Sequence, residues 1–166
     1  MSVTTPAGAG ERRGGPSGPL ALAPDLFDRL RGRLEASPAL ASLRPSLEEL
    51  GPDFCVLKLS YRDELSNGSG TVHGGVLATL ADTAVAFALS TNFDGKMGFA
   101  TADLTIHFLR RARGDMWARA RIVKKGKRIN VGEVGIVDAD GAEVARALAS
   151  FVLTTSAFDY APEGRT

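Results

Sequence analysis

The sequence predicts an α+β fold in which a curved antiparallel sheet wraps around one long central helix. Three observations carry that prediction. The run Gly75–Ser90, GVLATLADTAVAFALS, is long enough for four helical turns and apolar on nearly every side, the mark of a helix enclosed by other structure. Segments before and after it alternate with the period of two that puts successive side chains on opposite faces of a strand. Gly126 and the Asp138-Ala139-Asp140-Gly141 run separate the later segments, which suits antiparallel hairpins.

Taken in order, residues 1–23 are rich in glycine and proline. They cannot bury enough apolar surface to offset their ordering, so they are expected to form a disordered tail. Residues 24–155 form the expected domain, and 156–166 a short second tail. Leu26, Phe27, Leu30 and Leu34 share one helical stripe behind Pro24, a residue suited to a first helical turn. Pro38, Pro45 and Pro52 then keep the connection irregular. Phe54 to Arg62 is a strand, with Cys55, Leu57, Leu59 and Tyr61 on one face. After the helix, Ala102, Leu104, Ile106 and Phe108 alternate with Thr101, Asp103, Thr105 and His107. Strands from Gly114 to Val123, Lys127 to Val137 and Glu143 to Leu153 complete the sheet, five strands in all. Its two open edges favour pairing with a second copy of the chain, so a homodimer is expected, or a pair of such dimers.

Composition narrows the function. A chain of 166 residues, 44% apolar and 23% charged, supports a single core. Twenty basic residues against 19 acidic ones exclude a generally basic nucleic-acid binder. A lone cysteine, Cys55, excludes an internal disulfide framework, and with only His73 and His107 beside it no metal centre is expected. Asp82 interrupts the best candidate for a membrane span, so none is expected. No apolar signal segment follows Arg12 and Arg13, which makes the cytoplasm the expected compartment.

Asp82 is the one charged residue between Val76 and Leu89. Burying an ionised carboxylate is unfavourable by several kcal/mol unless partners satisfy it, so the residue requires an explanation. One explanation is a carboxylate paired with an arginine or capping a turn. The other is a general base facing a cleft, its affinity for protons raised by desolvation. The preceding NGSGTVHGG supports the second. Gly74 and Gly75 open the helix and admit a ligand closely, while unpaired N–H groups at the positive helix end suit an oxygen that gains negative charge. Asn67 offers an amide to orient water. His73 suits a helix-start cap better than a proton carrier, and His107 an ordinary strand surface. Val76, Leu77, Leu80 and Phe87 are the candidate cleft floor. No G-x-S-x-G elbow is present, and Cys55 reads as a core residue.

The pattern N67-x-x-G70-x-x-H73-G74-G75 followed by Asp82 resembles the hotdog-fold acyl-CoA thioesterases. The similarity is to the branch that includes the phenylacetate-pathway thioesterases and the mammalian thioesterase superfamily member 2. It extends over most of residues 45–155, including the segment from Thr101 to Arg110 and the Lys125-Gly126-Lys127 turn. The resemblance implies that Asp82 acts as base or nucleophile, that the Gly74 N–H polarises the thioester carbonyl, and that Asn67 positions water or substrate. It also implies that Thr101 stands where some members carry a serine, and that Gly74 of one chain faces Asp82 of another. Hydratase patterns of the same fold are absent.

Arg110, Arg111, Arg113, Arg119, Arg121, Lys124, Lys125, Lys127 and Arg128 face a single acid, Asp115, in nineteen residues. Part of that charge suits a solvated strand face, since Arg119 and Arg121 alternate with Ala118, Ala120 and Ile122. The rest suits an anionic partner, and the phosphates of coenzyme A, held by Arg110 and Arg111 or by Lys124, Lys125, Lys127 and Arg128, would supply it. With Trp117 almost the lone aromatic there, nucleic acid is not expected. The expected substrate is therefore an apolar acyl- or aryl-CoA, with coenzyme A as part of the substrate and no separate cofactor. The competing expectation is a non-catalytic acyl-CoA-binding module.

Overall fold

A computed structural model describes residues 21–154. The expected tails at 1–23 and 156–166 lie outside them, apart from 21–23. The chain folds as α1 (Leu26–Ala36), β1 (Ser46–Gly51), β2 (Phe54–Leu59), α2 (Gly74–Ser90), β3 (Gly98–Phe108), β4 (Met116–Lys124), β5 (Ile129–Asp138) and β6 (Glu143–Thr154). The strands form one antiparallel sheet in the order β1-β2-β4-β5-β6-β3.

Two features correct the sequence expectation. The sheet has six strands rather than five, because Pro45 and Pro52 flank β1 instead of interrupting it. Proline is tolerated there because β1 is an edge strand and Pro52 falls in the turn to β2. Nor does the sheet close or curl strongly around the helix; this is a hotdog-like α+β fold with an open sheet. The helix packs mainly on β2, β4 and β5. A helix about 10 Å wide covers two or three strands spaced about 4.8 Å apart, so the edge strand β3 touches α2 at a few points only, with residues 100–103 exposed.

Small residues bring helix and sheet together. Ala81, Ala84 and Ala88 of α2 face Ala118, Ala120, Ala145 and Ala149, all fully buried. Leu77, Leu80, Val85 and Leu89 complete the helix side of the core. On the opposite side of α2, Val76, Thr79, Asp82, Thr83, Ala86 and Phe87 are only half-buried. The helix is thus covered on one side, not enclosed as its all-round apolar composition predicted. The segment Gly74–Phe93 does have the length and hydropathy to cross a bilayer despite Asp82, contrary to the sequence expectation; here its buried stripe forms the core.

Cys55 is fully buried in β2, and burial pushes its thiol well above the ordinary range. A thiol that stays protonated and inaccessible is inert. Native protein is expected to resist labelling by an aromatic disulfide reagent, with full labelling only in denaturant; rapid native labelling would contradict the packing of β2.

Candidate active site

The carboxylate at the middle of α2 sits in a cleft of about 200 Å³ whose lining includes Phe87, Phe99, Thr101 and Phe151. No arginine among the described residues pairs with it. Instead the Thr101 hydroxyl donates to Asp82 Oδ1 at 2.9 Å. Burial raises the Asp82 carboxyl above its usual range, and the Thr101 hydrogen bond opposes that rise. The result is a carboxylate whose proton affinity is increased by desolvation, as a general base requires.

A bulge puts Thr101 there. The β3–β6 register shifts between Thr101 and Asp103, so one extra residue reverses the alternation. Phe99 and Thr101 line the cleft, and beyond the bulge Leu104 and Ile106 pack on the core. Sequence alternation alone had set Thr101 on the face opposite Leu104. Phe99 stacks edge-to-face on Phe151 at 5.6 Å between ring centres, which fixes the aromatic wall of the cleft.

At the start of α2, His73 is the N-cap, and its Nδ1 accepts the Gly75 N–H at 3.0 Å. That ring nitrogen is committed to the cap rather than to proton transfer. Gly75, expected to meet the ligand, uses its N–H in the same bond, and a Cβ there would meet the ring at 3.1 Å. The Gly74 N–H has no partner among the described residues. Phe108 lies over Gly74, its ring 3.1 Å from where a Cβ would stand, a contact that strand periodicity did not reveal. Asn67 organises the loop ahead of the helix. Its Oδ1 accepts from the Ser69 N–H, the Ser69 hydroxyl and the Thr71 hydroxyl, at 3.1, 2.7 and 2.9 Å. Of the candidate cleft floor, Phe87 lines the cleft; Leu77 and Leu80 instead point into the core.

The basic residues divide. Arg110 donates to the Glu143 carbonyl at 2.9 Å, at the end of the sheet where α2 begins, because Val72 bonds the neighbouring Ala112 carbonyl there. Lys124, Lys125, Lys127 and Arg128 occupy the β4–β5 hairpin at the opposite end of β4, so the two groups form no single patch within one chain. Lys125 is neutralised by Asp53 at 2.7 Å and also donates to Asn92 Oδ1. Lys127 lines a second cavity beside Asn130, whose buried Nδ2 has no partner among the described residues. Arg119 and Arg121 are exposed on the sheet face away from the helix, where Arg121 pairs with Glu133 across the ladder. No group of three or more His, Cys, Asp and Glu side chains among the described residues could hold a metal ion.

An apolar cleft holding a half-buried carboxylate, with a glycine helix start about two turns away along α2, is the candidate site of this α+β scaffold. Residues 69–145 match the model of the thioesterase superfamily. A Halobacterium salinarum relative, whose name assigns esterase activity provisionally, is 37% identical over 123 residues, covering 68% of this chain and 82% of its own. The acyl-coenzyme A thioesterase PaaI of Escherichia coli is 37% identical over 94 residues, 55% of this chain and 65% of that one. The structure of the E. coli PaaI protein superposes with a TM-score of 0.74 at 23% identity, over 82% of this chain and 99% of that one. The chain belongs to the thioesterase superfamily. It is a thioester hydrolase.

Proposed function

We propose that the chain hydrolyses the thioester of an apolar acyl- or aryl-CoA to the free acid and coenzyme A. The observation that carries this reading is Asp82, a half-buried carboxylate held by Thr101 in an aromatic cleft. In this reading the Gly74 N–H receives the carbonyl oxygen and stabilises the charge that develops on it. Asp82 either takes a proton from the attacking water or attacks the carbonyl carbon itself, releasing the thiolate and leaving a mixed anhydride for water to open. Asn67 shapes the loop that presents Gly74, and its amide nitrogen is the group offered to water or substrate.

Gly74 and Asp82 of one chain do not serve the same carbonyl. Eight residues of helix separate them by about 12 Å along the axis, whereas a base and an oxyanion donor must both lie near 3 Å from the reacting atoms. A homodimer resolves this by bringing Gly74 of one chain to Asp82 of its partner. The half-buried side of α2 and the outer edge of β3 support such pairing; a pair of dimers is compatible with the same surfaces. For the coenzyme A phosphates, Arg110 and Arg111 stand at the Gly74 end, and Lys127 and Arg128 at the other; Lys125 is engaged by Asp53. Charge removal at the cluster used raises KM with little change in kcat.

Thiol release from short, medium, long and aryl acyl-CoAs tests the reaction, and tight binding without release would overturn it. Turnover in oxygen-18 water separates the two routes, since label incorporated into Asp82 marks the anhydride. Thr101→Val supplies a further test. Losing the hydroxyl removes the interaction that lowers the Asp82 pKa, so the acid limb of kcat/KM is expected to move to higher pH, with Thr101→Ser close to wild type. An unmoved limb would exclude Asp82 as its source.

A further inference from the structure

The cleft that holds Asp82 is also lined by an arginine from a different element. Arg33, in the last turn of α1, shares the cavity with Asp82, Phe87, Phe99, Thr101 and Phe151. Its Nη1 donates to the Gly95 carbonyl at 2.9 Å, and the Gly95 N–H in turn bonds the Ser90 carbonyl at 3.0 Å. Arg33 is therefore fixed at the Ser90 end of α2. Ser90 lies eight residues beyond Asp82, about 12 Å along the helix axis. The cleft thus has a carboxylate at one end, aromatic walls between, and a guanidinium at the other.

Arg33 is exposed and forms no ion pair among the described residues. The other arginines of α1 are paired: Arg29 with Asp25 and Asp94, and Arg31 with Asp28. Arg33 has no carboxylate partner among the described residues, although a guanidinium carries five donors suited to a planar bidentate anion. The Arg29–Asp94 pair also fastens α1 to the turn at Gly95, so Arg33 is held in place without an acid of its own.

We propose that Arg33 is a specificity-determining residue that selects acyl groups whose apolar stem ends in a carboxylate, that is, monothioesters of dicarboxylic acids. This rests on the thioester-hydrolase reading of Asp82. The thioester lies near Asp82, the methylene stem runs along Phe87 and the Phe99–Phe151 pair, and the terminal carboxylate meets the Arg33 fork. The span suits a stem of medium length. A cleft of about 200 Å³ holds on the order of seven water volumes, room for one such stem and little more.

The test compares kcat/KM for suberoyl-CoA with octanoyl-CoA, and adipoyl-CoA with hexanoyl-CoA, by thiol release from wild type, Arg33→Gln and Arg33→Lys. Wild type is expected to favour the carboxylate-ended member of a pair by about tenfold, the effect of one charged hydrogen-bonded contact. Arg33→Gln is expected to bring that ratio to unity or below, and Arg33→Lys to restore part of it. A merely structural role for Arg33 in tying α1 to Gly95 would lower both members equally and leave the ratio unchanged; that result overturns the proposal, as does a wild-type ratio of one. Release from neither member of any pair removes the hydrolase reading and this inference with it, whereas release without selectivity removes only the inference.

Discussion

Asp82→Asn is expected to lower kcat/KM for thiol release at least about a hundredfold while leaving the fold intact. Asparagine keeps the shape and can still meet the Thr101 hydroxyl, but it can neither accept a proton at neutral pH nor form an anhydride. The same variant has a stability signature of opposite sign. Burial raises the Asp82 pKa above its ordinary value of 3.8, so the folded state binds the proton more tightly than the unfolded chain does. The stabilisation this provides is fully present below the unfolded pKa and is lost as pH rises through the folded one. Wild type therefore carries an ionised, partly desolvated group at neutral pH that Asp82→Asn lacks. The expected result is an inactive variant whose Tm at pH 7 equals or exceeds that of wild type, with a weaker decline in stability above pH 4. Rate loss accompanied by a lower Tm would instead mean that Asp82 holds the helix in place. Wild-type activity should also fall in acid with a midpoint above the ordinary carboxylate range, because the rate follows the ionised form.

Gly132→Ala is expected to be the most damaging single-methyl change in the sheet. Gly132 lies on β5 opposite Ile122 and Ala149, beneath α2. A Cβ there would stand 2.4 Å from Val85 Cγ1, 3.1 Å from the Arg121 carbonyl oxygen and 3.1 Å from Ile122 Cδ1. Val85 is fully buried and β-branched, so one rotamer is strongly preferred and withdrawing from it is costly. Overpacking of this kind costs about 1–3 kcal/mol, or roughly 3–9 °C in Tm for a chain of this size. Val85→Ala alone is destabilising because it deletes buried methyl groups, yet it opens the space the new Cβ needs. The double variant is expected to be more stable than the two single effects predict, by about 1 kcal/mol in a double-mutant cycle. Strict additivity would show that the helix moves as a body instead.

Both predictions concern features the sequence exposed unequally. Asp82 stood out because it is the lone charge in an apolar helical run, and its unfavourable burial is a local property of that run. Gly132 did not stand out. Nothing in INVGEVGIVD distinguishes a glycine under a helix from one in a bulge, because the atom it makes room for belongs to a residue 47 positions earlier.

The sequence by itself determined the type and approximate limits of α1, α2 and five of the six strands, the glycine helix start, the His73 cap position and the candidate carboxylate. Each of these depends on composition or periodicity within a few turns or strand residues. It overstated the curl of the sheet, because an apolar helix predicts that its sides are covered without saying by what. The tertiary structure decided that β2, β4 and β5 cover one side only, leaving Asp82 and Phe87 half-buried in a cleft on the other. It also decided that a bulge turns Thr101 toward Asp82 and that α1 delivers Arg33 to the same cleft. Those are contacts between residues distant in the chain. They are set by how the sheet packs and twists, and no local pattern of residues encodes them.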